Sequence, residues 1–137
     1  MNLAFHFSEI NWLSVIVVTI LSFPLGTIWH NKKVFGKAWN EDAKPVFDAS
    51  KKSSFIRLFG LSFVFHFVTV ASLDALIGIG GTLVTGLVTG FIVGLAFVFT
   101  SLAVTHLFVG RSFRLILIDT GFYVVFFSIS GLILGAW

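Results

Sequence analysis

The stretch Gly86-Leu-Val-Thr-Gly90-Phe-Ile-Val-Gly94 decides the fold class of this chain. Its three glycines stand four residues apart inside an apolar run from Thr82 to Val109. In a water-soluble helix such glycines only cost stability. In lipid they let two backbones approach closely, and close packing is what holds membrane helices together. The run is also long enough to cross a bilayer, whose apolar core of about 30 Å takes about 20 helical residues.

The rest of the composition agrees. Of 137 residues, 57% are hydrophobic, 18 are Phe and only 11% are charged, against about 25% charged in a soluble domain. A core of this size cannot hide that much apolar surface from water. The expected spans are about 12–30, 55–77, 82–109 and 113–136, with one soluble loop at 31–54 and no separate soluble domain within 1–137. Trp12 and Trp29 bracket the first span, Trp39 follows in the loop and Trp137 ends the chain, all positions suited to interface anchors. Pro24 and Gly26 fall in the last third of the first span, where proline favours a bend. That span follows Glu9 rather than a basic stretch, and no small-x-small cleavage site comes after it, so it reads as a retained helix. Phe5 before it, and Val34, Phe35 and Phe47 in the loop, suggest pieces that lie on the membrane surface.

Charge sets the expected orientation. All nine Lys and Arg lie in the 31–57 segment or the 110–114 turn. Short turns at Gly78-Ile-Gly-Gly81 and Gly110–Ser112 make the last three spans antiparallel neighbours. An even number of spans puts the two basic segments on one side, which the positive-inside rule makes cytoplasmic. The expectation is therefore an all-α polytopic protein of the cell (inner) membrane. Its four transmembrane helices form an antiparallel bundle with both termini on the outer side. The net charge of +3 is a topological signal here and does not imply nucleic acid. With no cysteine there is no disulfide or thiolate chemistry.

Helical periodicity assigns faces. At about 100° per residue, Gly86, Gly90, Gly94 and Ser101 share one side of the third span, with His106 opposite. On the fourth span Gly121, Ser128 and Gly135 align, with Gly131 beside them, while Asp119, Tyr123, Phe126 and Ser130 take the other side. In an antiparallel pair Gly86 and Gly90 come level with Gly131 and Gly135. A packing seam through Gly86, Gly90, Gly94, Ser128, Gly131 and Gly135 is expected, or a contact of one such face with a second copy in a homo-oligomer.

Titratable groups in hydrocarbon are costly, about 2.5–3.5 kcal/mol for an Asp at mid-helix. His66 is close to mid-bilayer, with Ser62 and Thr69 on its face, and suits either a proton relay or ligand contact, or a neutral ring bonded to a neighbouring helix. Asp119 lies two turns inside the cytoplasmic end of the fourth span. It suits an ion pair with Arg111, Arg114 or His106, or a site on a watery cleft, and Tyr123 is one turn deeper. Asp74 lies near the outer end of the second span, and His30 and His106 lie near the cytoplasmic interface. The histidines are dispersed, with no His-x-x-x-His or Glu-x-x-His pair, so no metal or cofactor is implied. No Gly-x-Ser-x-Gly elbow is present and no catalytic residue is assigned.

Several short motifs are familiar in combination. Asn11-Trp12-Leu13 opens the first span, Gly26-x-x-Trp29 closes it, and Phe35-Gly36-Lys37-Ala38-Trp39 follows. Near the end come Asp119-x-Gly121-x-Tyr123 and Gly131-x-x-x-Gly135-x-Trp137. The pattern resembles a bacterial family of small four-span membrane proteins, the domain of unknown function 1761. The resemblance implies a fold and a location and no activity. Two function classes then fit. One is a small transport-type or conducting bundle, with His66, Asp119 and Tyr123 on inward faces. The other is a structural or interaction protein that packs through small faces. Either would have the lipid bilayer as its partner, and Lys32, Lys33 and Lys37 suit anionic headgroups.

Overall fold

The computed structural model describes residues 6–46, 48 and 50–137, so Phe5 and Phe47 lie outside the described residues. All regular structure among the described residues is helical. After a short 3-10 turn at Phe7–Glu9 come α1 (Trp12–Trp29), α2 (Gly36–Ala43), α3 (Lys52–Ile77), α4 (Leu83–Ile92), a π-helical segment (Val93–Phe99), α5 (Thr100–Val109) and α6 (Phe113–Ala136). The third apolar run is thus one continuous rod of α4, π segment and α5. With α1, α3 and α6 it makes four helices long and apolar enough to cross a membrane.

Local chemistry sets the helix ends. The Asn11 side chain accepts the Ser14 N–H to open α1. Thr82 and Thr85 exchange side-chain and backbone bonds in a capping box at the start of α4. The Ser112 hydroxyl accepts the Leu115 N–H at the start of α6. Such caps satisfy donors that the first helical turn leaves free. The tight turn after α3 needs φ of +69° at Gly78 and +84° at Gly80, a region that disfavours any Cβ. Pro24 lies inside α1, which continues to Trp29.

α6 is the central helix. Of its most apolar 18-residue window 44% is buried, against 11% for α3 and for the third rod. It meets α1, α2, α3, α4, the π segment and α5. Around it Val15 and Val18 of α1, Val70 and Leu73 of α3, and its own Phe122, Phe126, Phe127 and Leu134 form the core. Buried hydroxyls bond backward along their own helices: Thr19 to the Val15 carbonyl, Ser22 to Thr19 and Thr120 to Ile116. In an apolar surrounding each hydroxyl needs such an acceptor.

The closest contact joins α4 to α6. A Cβ on Gly86 would strike the Gly131 carbonyl and come within 2.9 Å of the Gly135 Cα. One on Gly90 would strike the Phe127 carbonyl, and one on Gly94 would reach 2.9 Å from the Val124 Cα. The two backbones touch, which only glycine permits. The Ser128 hydroxyl bonds back to the Val124 carbonyl of its own helix. Gly121 faces α1, 3.5 Å from the Trp29 ring by the same measure. Ser101 is exposed, although it was expected on the glycine face. The π segment explains that difference. A π turn takes in an extra residue, and one residue is worth about 100° of rotation. Everything beyond Phe99 is therefore turned relative to the glycine stripe.

Candidate functional site

Polar side chains gather in two places: at the end of the bundle that carries the basic loop, and halfway along α3 and α6. At the loop end, Gly36 lets the chain fold back after α1. A Cβ there would overlap the His30 carbonyl. The fold-back delivers α2 onto the start of α6. Trp39 donates its indole N–H to Asp119 Oδ1 at 2.7 Å. His106 Nε2 lies 2.8 Å from Asp119 Oδ2. Since a carboxylate only accepts, that ring nitrogen carries the proton. One turn nearer the loop, the Arg114 guanidinium bridges Glu41 and Asp42, and the Ser112 hydroxyl also donates to Asp42. The Arg114 bonds hold the Asp42 carboxyl down at about 2, with Ser112 adding to the effect.

Asp119 thus has His106 among its three expected partners, and not Arg111 or Arg114. His106 was expected opposite the glycine face, yet level with Asp119. The π segment turns it toward α6. Trp39 was not foreseen as a partner. The signal was present in the motifs, because Phe35–Trp39 and Asp119–Tyr123 are the two sides of this one contact. Trp29 behaves likewise: its indole N–H donates to the Ile118 carbonyl at 3.0 Å, and its ring covers Gly121. Trp29 and Trp39 therefore spend their N–H groups on protein acceptors, as half-buried indoles must when no water is near. Trp12 and Trp137 are exposed, at 53% and 56%, and Trp12 stacks on Phe67 with centroids 6.0 Å apart. His30 packs edge-on to Trp39 at 5.2 Å, with Nδ1 2.9 Å from the Gly26 carbonyl. At the opposite end Asp74 accepts the Asn11 N–H at 2.9 Å, so it joins α3 to the start of α1.

The second place is a cavity of about 230 Å³ between α3, the π segment and α6, lined by Ser62, Phe65, His66, Thr69, Val98, Tyr123 and Phe127. His66 stands halfway along α3 and Tyr123 halfway along α6. The His66 Nδ1 lies 2.9 Å from the Ser62 carbonyl. A carbonyl only accepts, so Nδ1 bears the hydrogen, and the neutral ring keeps its lone pair on Nε2. The ring is held edge-on against Phe126 at 5.1 Å and Phe23 at 6.0 Å. No partner for Nε2 occurs among the described residues. The π segment contributes Val98 to its wall. No group of three or more His, Asp or Glu able to hold a metal ion occurs among the described residues.

Four membrane-length apolar helices define an integral, multi-pass membrane protein. The chain belongs to the family described as "Protein of unknown function (DUF1761)", whose model matches residues 13–135. No curated protein and no solved structure matches it.

Proposed function

We propose that this is a small transport-type membrane protein in which protons or a small hydrogen-bonding solute use the cavity at His66. The observation that carries the reading is the His66 ring, locked at Nδ1 and free at Nε2, facing a cavity at mid-span beside the Tyr123 side chain. A histidine at that depth is costly unless it has a role, and π segments recur at functional sites. Tyr123 is one helical turn from Asp119. His66, Tyr123 and the Asp119–His106 pair thus make a stepwise polar series toward the basic loop. Nε2 would accept a proton, and the tyrosine hydroxyl would pass one on.

The frame of this proposal is an antiparallel bundle in the cell (inner) membrane, with the basic loop cytoplasmic and both termini outside. The glycine contacts support the antiparallel arrangement, since their numbers run in opposite order along α4 and α6. All nine basic residues fall on the loop side, which supports the orientation. Exposed Lys32, Lys33 and Lys37 would lie against anionic headgroups of that leaflet.

Proton flux into liposomes bearing the purified protein, read with an enclosed pH dye under an imposed potential, tests the reading. The wild type is expected to exceed empty liposomes, with His66→Ala reducing the excess about tenfold and Tyr123→Phe reducing it less. A His66→Ala variant as active as wild type would defeat the reading.

A structural or interaction role is the second reading. It is favoured by the pairing of Asp119 and Arg114 within the chain, which makes them parts of the scaffold. A homo-oligomer under this reading would need a face other than the glycine one, which α6 already covers.

A further inference from the structure

A second cavity adjoins the His66 cavity on the side of the basic loop. It measures about 590 Å³, and Lys51, Arg57, Leu58, Leu61, Ser62 and Phe65 are among its walls. Ser62 and Phe65 also line the His66 cavity, so the two form one groove along α3. Its size suits a ligand of lipid or drug scale.

Depth and charge identify the occupant. α3 has 26 residues, about 39 Å at 1.5 Å per residue, which exceeds an apolar core of about 30 Å. The charges of Lys52 and Arg57 put the excess length at its first turns, in the headgroup layer. Arg57 therefore lies at the boundary of the hydrocarbon, and Lys51 lies above it. Neither has an acidic partner among the described residues. Asp48 also borders the mouth, but its carboxylate accepts both the N–H and the hydroxyl of Ser50. One acid that is already bonded faces two unpaired bases. Below them Leu58, Leu61 and Phe65 are 44%, 47% and 66% exposed and give the groove an apolar wall. From Arg57 to His66 is nine residues, about 14 Å, close to the depth of one leaflet.

We propose that this groove seats one anionic phospholipid from the surrounding leaflet, with its phosphate between Lys51 and Arg57 and an acyl chain along Leu58, Leu61 and Phe65 toward His66. The site is separate from Lys32, Lys33 and Lys37, which are not among its walls. It does not depend on solute crossing at His66. A bound chain would close the lipid-facing side of the His66 cavity.

The test is native mass spectrometry of the full-length protein with phosphatidylglycerol and phosphatidylcholine of identical chains. The wild type is expected to retain phosphatidylglycerol at least fivefold over phosphatidylcholine. Lys51→Ala/Arg57→Ala is expected to abolish that preference, as is Leu61→Trp, which keeps the charge and fills the groove. Lys51→Arg/Arg57→Lys and Lys32→Ala/Lys33→Ala/Lys37→Ala are expected to preserve it. Preference surviving in the Lys51/Arg57 alanine pair or in Leu61→Trp would overturn the proposal, and so would its loss in the Lys32/Lys33/Lys37 triple. For a variant that loses helical circular dichroism, wild-type protein and phosphatidylglycerol with a diazirine in its tail decide instead. Adducts at Leu58, Leu61 or Phe65 support the site, and adducts only elsewhere overturn it.

Discussion

Asp119 holds two donors from two different elements, the Trp39 indole and the His106 ring. Asp119→Ala would leave both half-buried N–H groups without an acceptor, at about 1–3 kcal/mol for each such loss. The expected outcome is a lower unfolding temperature in detergent and a changed emission from Trp39. Asp119→Asn keeps an acceptor for Trp39 and is expected to lose less. Asp42 gives a pH signature. Its carboxyl titrates at about 2 in the folded chain, below about 3.9 for a free aspartate. Its contribution to holding α2 is therefore complete above about pH 4 and is lost as pH falls toward 2. A fluorescence titration of Trp39 is expected to report undocking of α2 in that acid range, and Asp42→Asn is expected to show a weakened dock already at neutral pH. The pairing of Asp119 was partly legible from depth along the helix, which placed His106 at the same level. Its second partner was not, because Trp39 lies 80 positions away and helix periodicity says nothing about where a loop helix folds back.

The four apolar helices were legible because hydropathy over about 20 residues is a strong signal that does not depend on tertiary contacts. Which glycine touches what was legible only in part. Periodicity placed Gly86, Gly90 and Gly94 on one face, and their depth matched Gly131 and Gly135. Gly121 shared the small-residue pattern of α6 yet faces Trp29 of α1, since spacing alone cannot distinguish two neighbours on adjacent sides of one helix. The π segment carries no comparable sequence signal, and without it Ser101 and His106 are assigned to the wrong sides. The α4–α6 contact implies a sharp contrast between glycines. Gly90→Leu drives a side chain into the Phe127 carbonyl and is expected to cost about 3 kcal/mol or more. Gly121→Ala meets the Trp29 ring at an ordinary contact distance and is expected to change stability by less than about 1 kcal/mol. Reversible unfolding in mixed micelles measures both. Equal effects at the two positions would contradict the assigned contact.

At the scale of the molecule, α6 is the post on which the other helices hang, and one end is stitched by charge and the other by glycine. The α4 half of the third rod is pressed against α6 along the glycines, and the His66 cavity lies where α3, the π segment and α6 meet. A transport role requires water to reach that cavity. Because the chain has no cysteine, single thiols can be placed without background. Thr69 lines the cavity and Val70, its neighbour, is fully buried. The decisive measurement is the reaction of Thr69→Cys and Val70→Cys with a charged, membrane-impermeant thiol reagent in vesicles, since only a hydrated thiol ionises and reacts. The expected result is modification of Thr69→Cys at least about tenfold faster than Val70→Cys, with the rate lowered when bulk at Val98, which lines the same cavity, narrows it. A Thr69→Cys variant as inert as Val70→Cys would mean a dry cavity and would contradict a transport role.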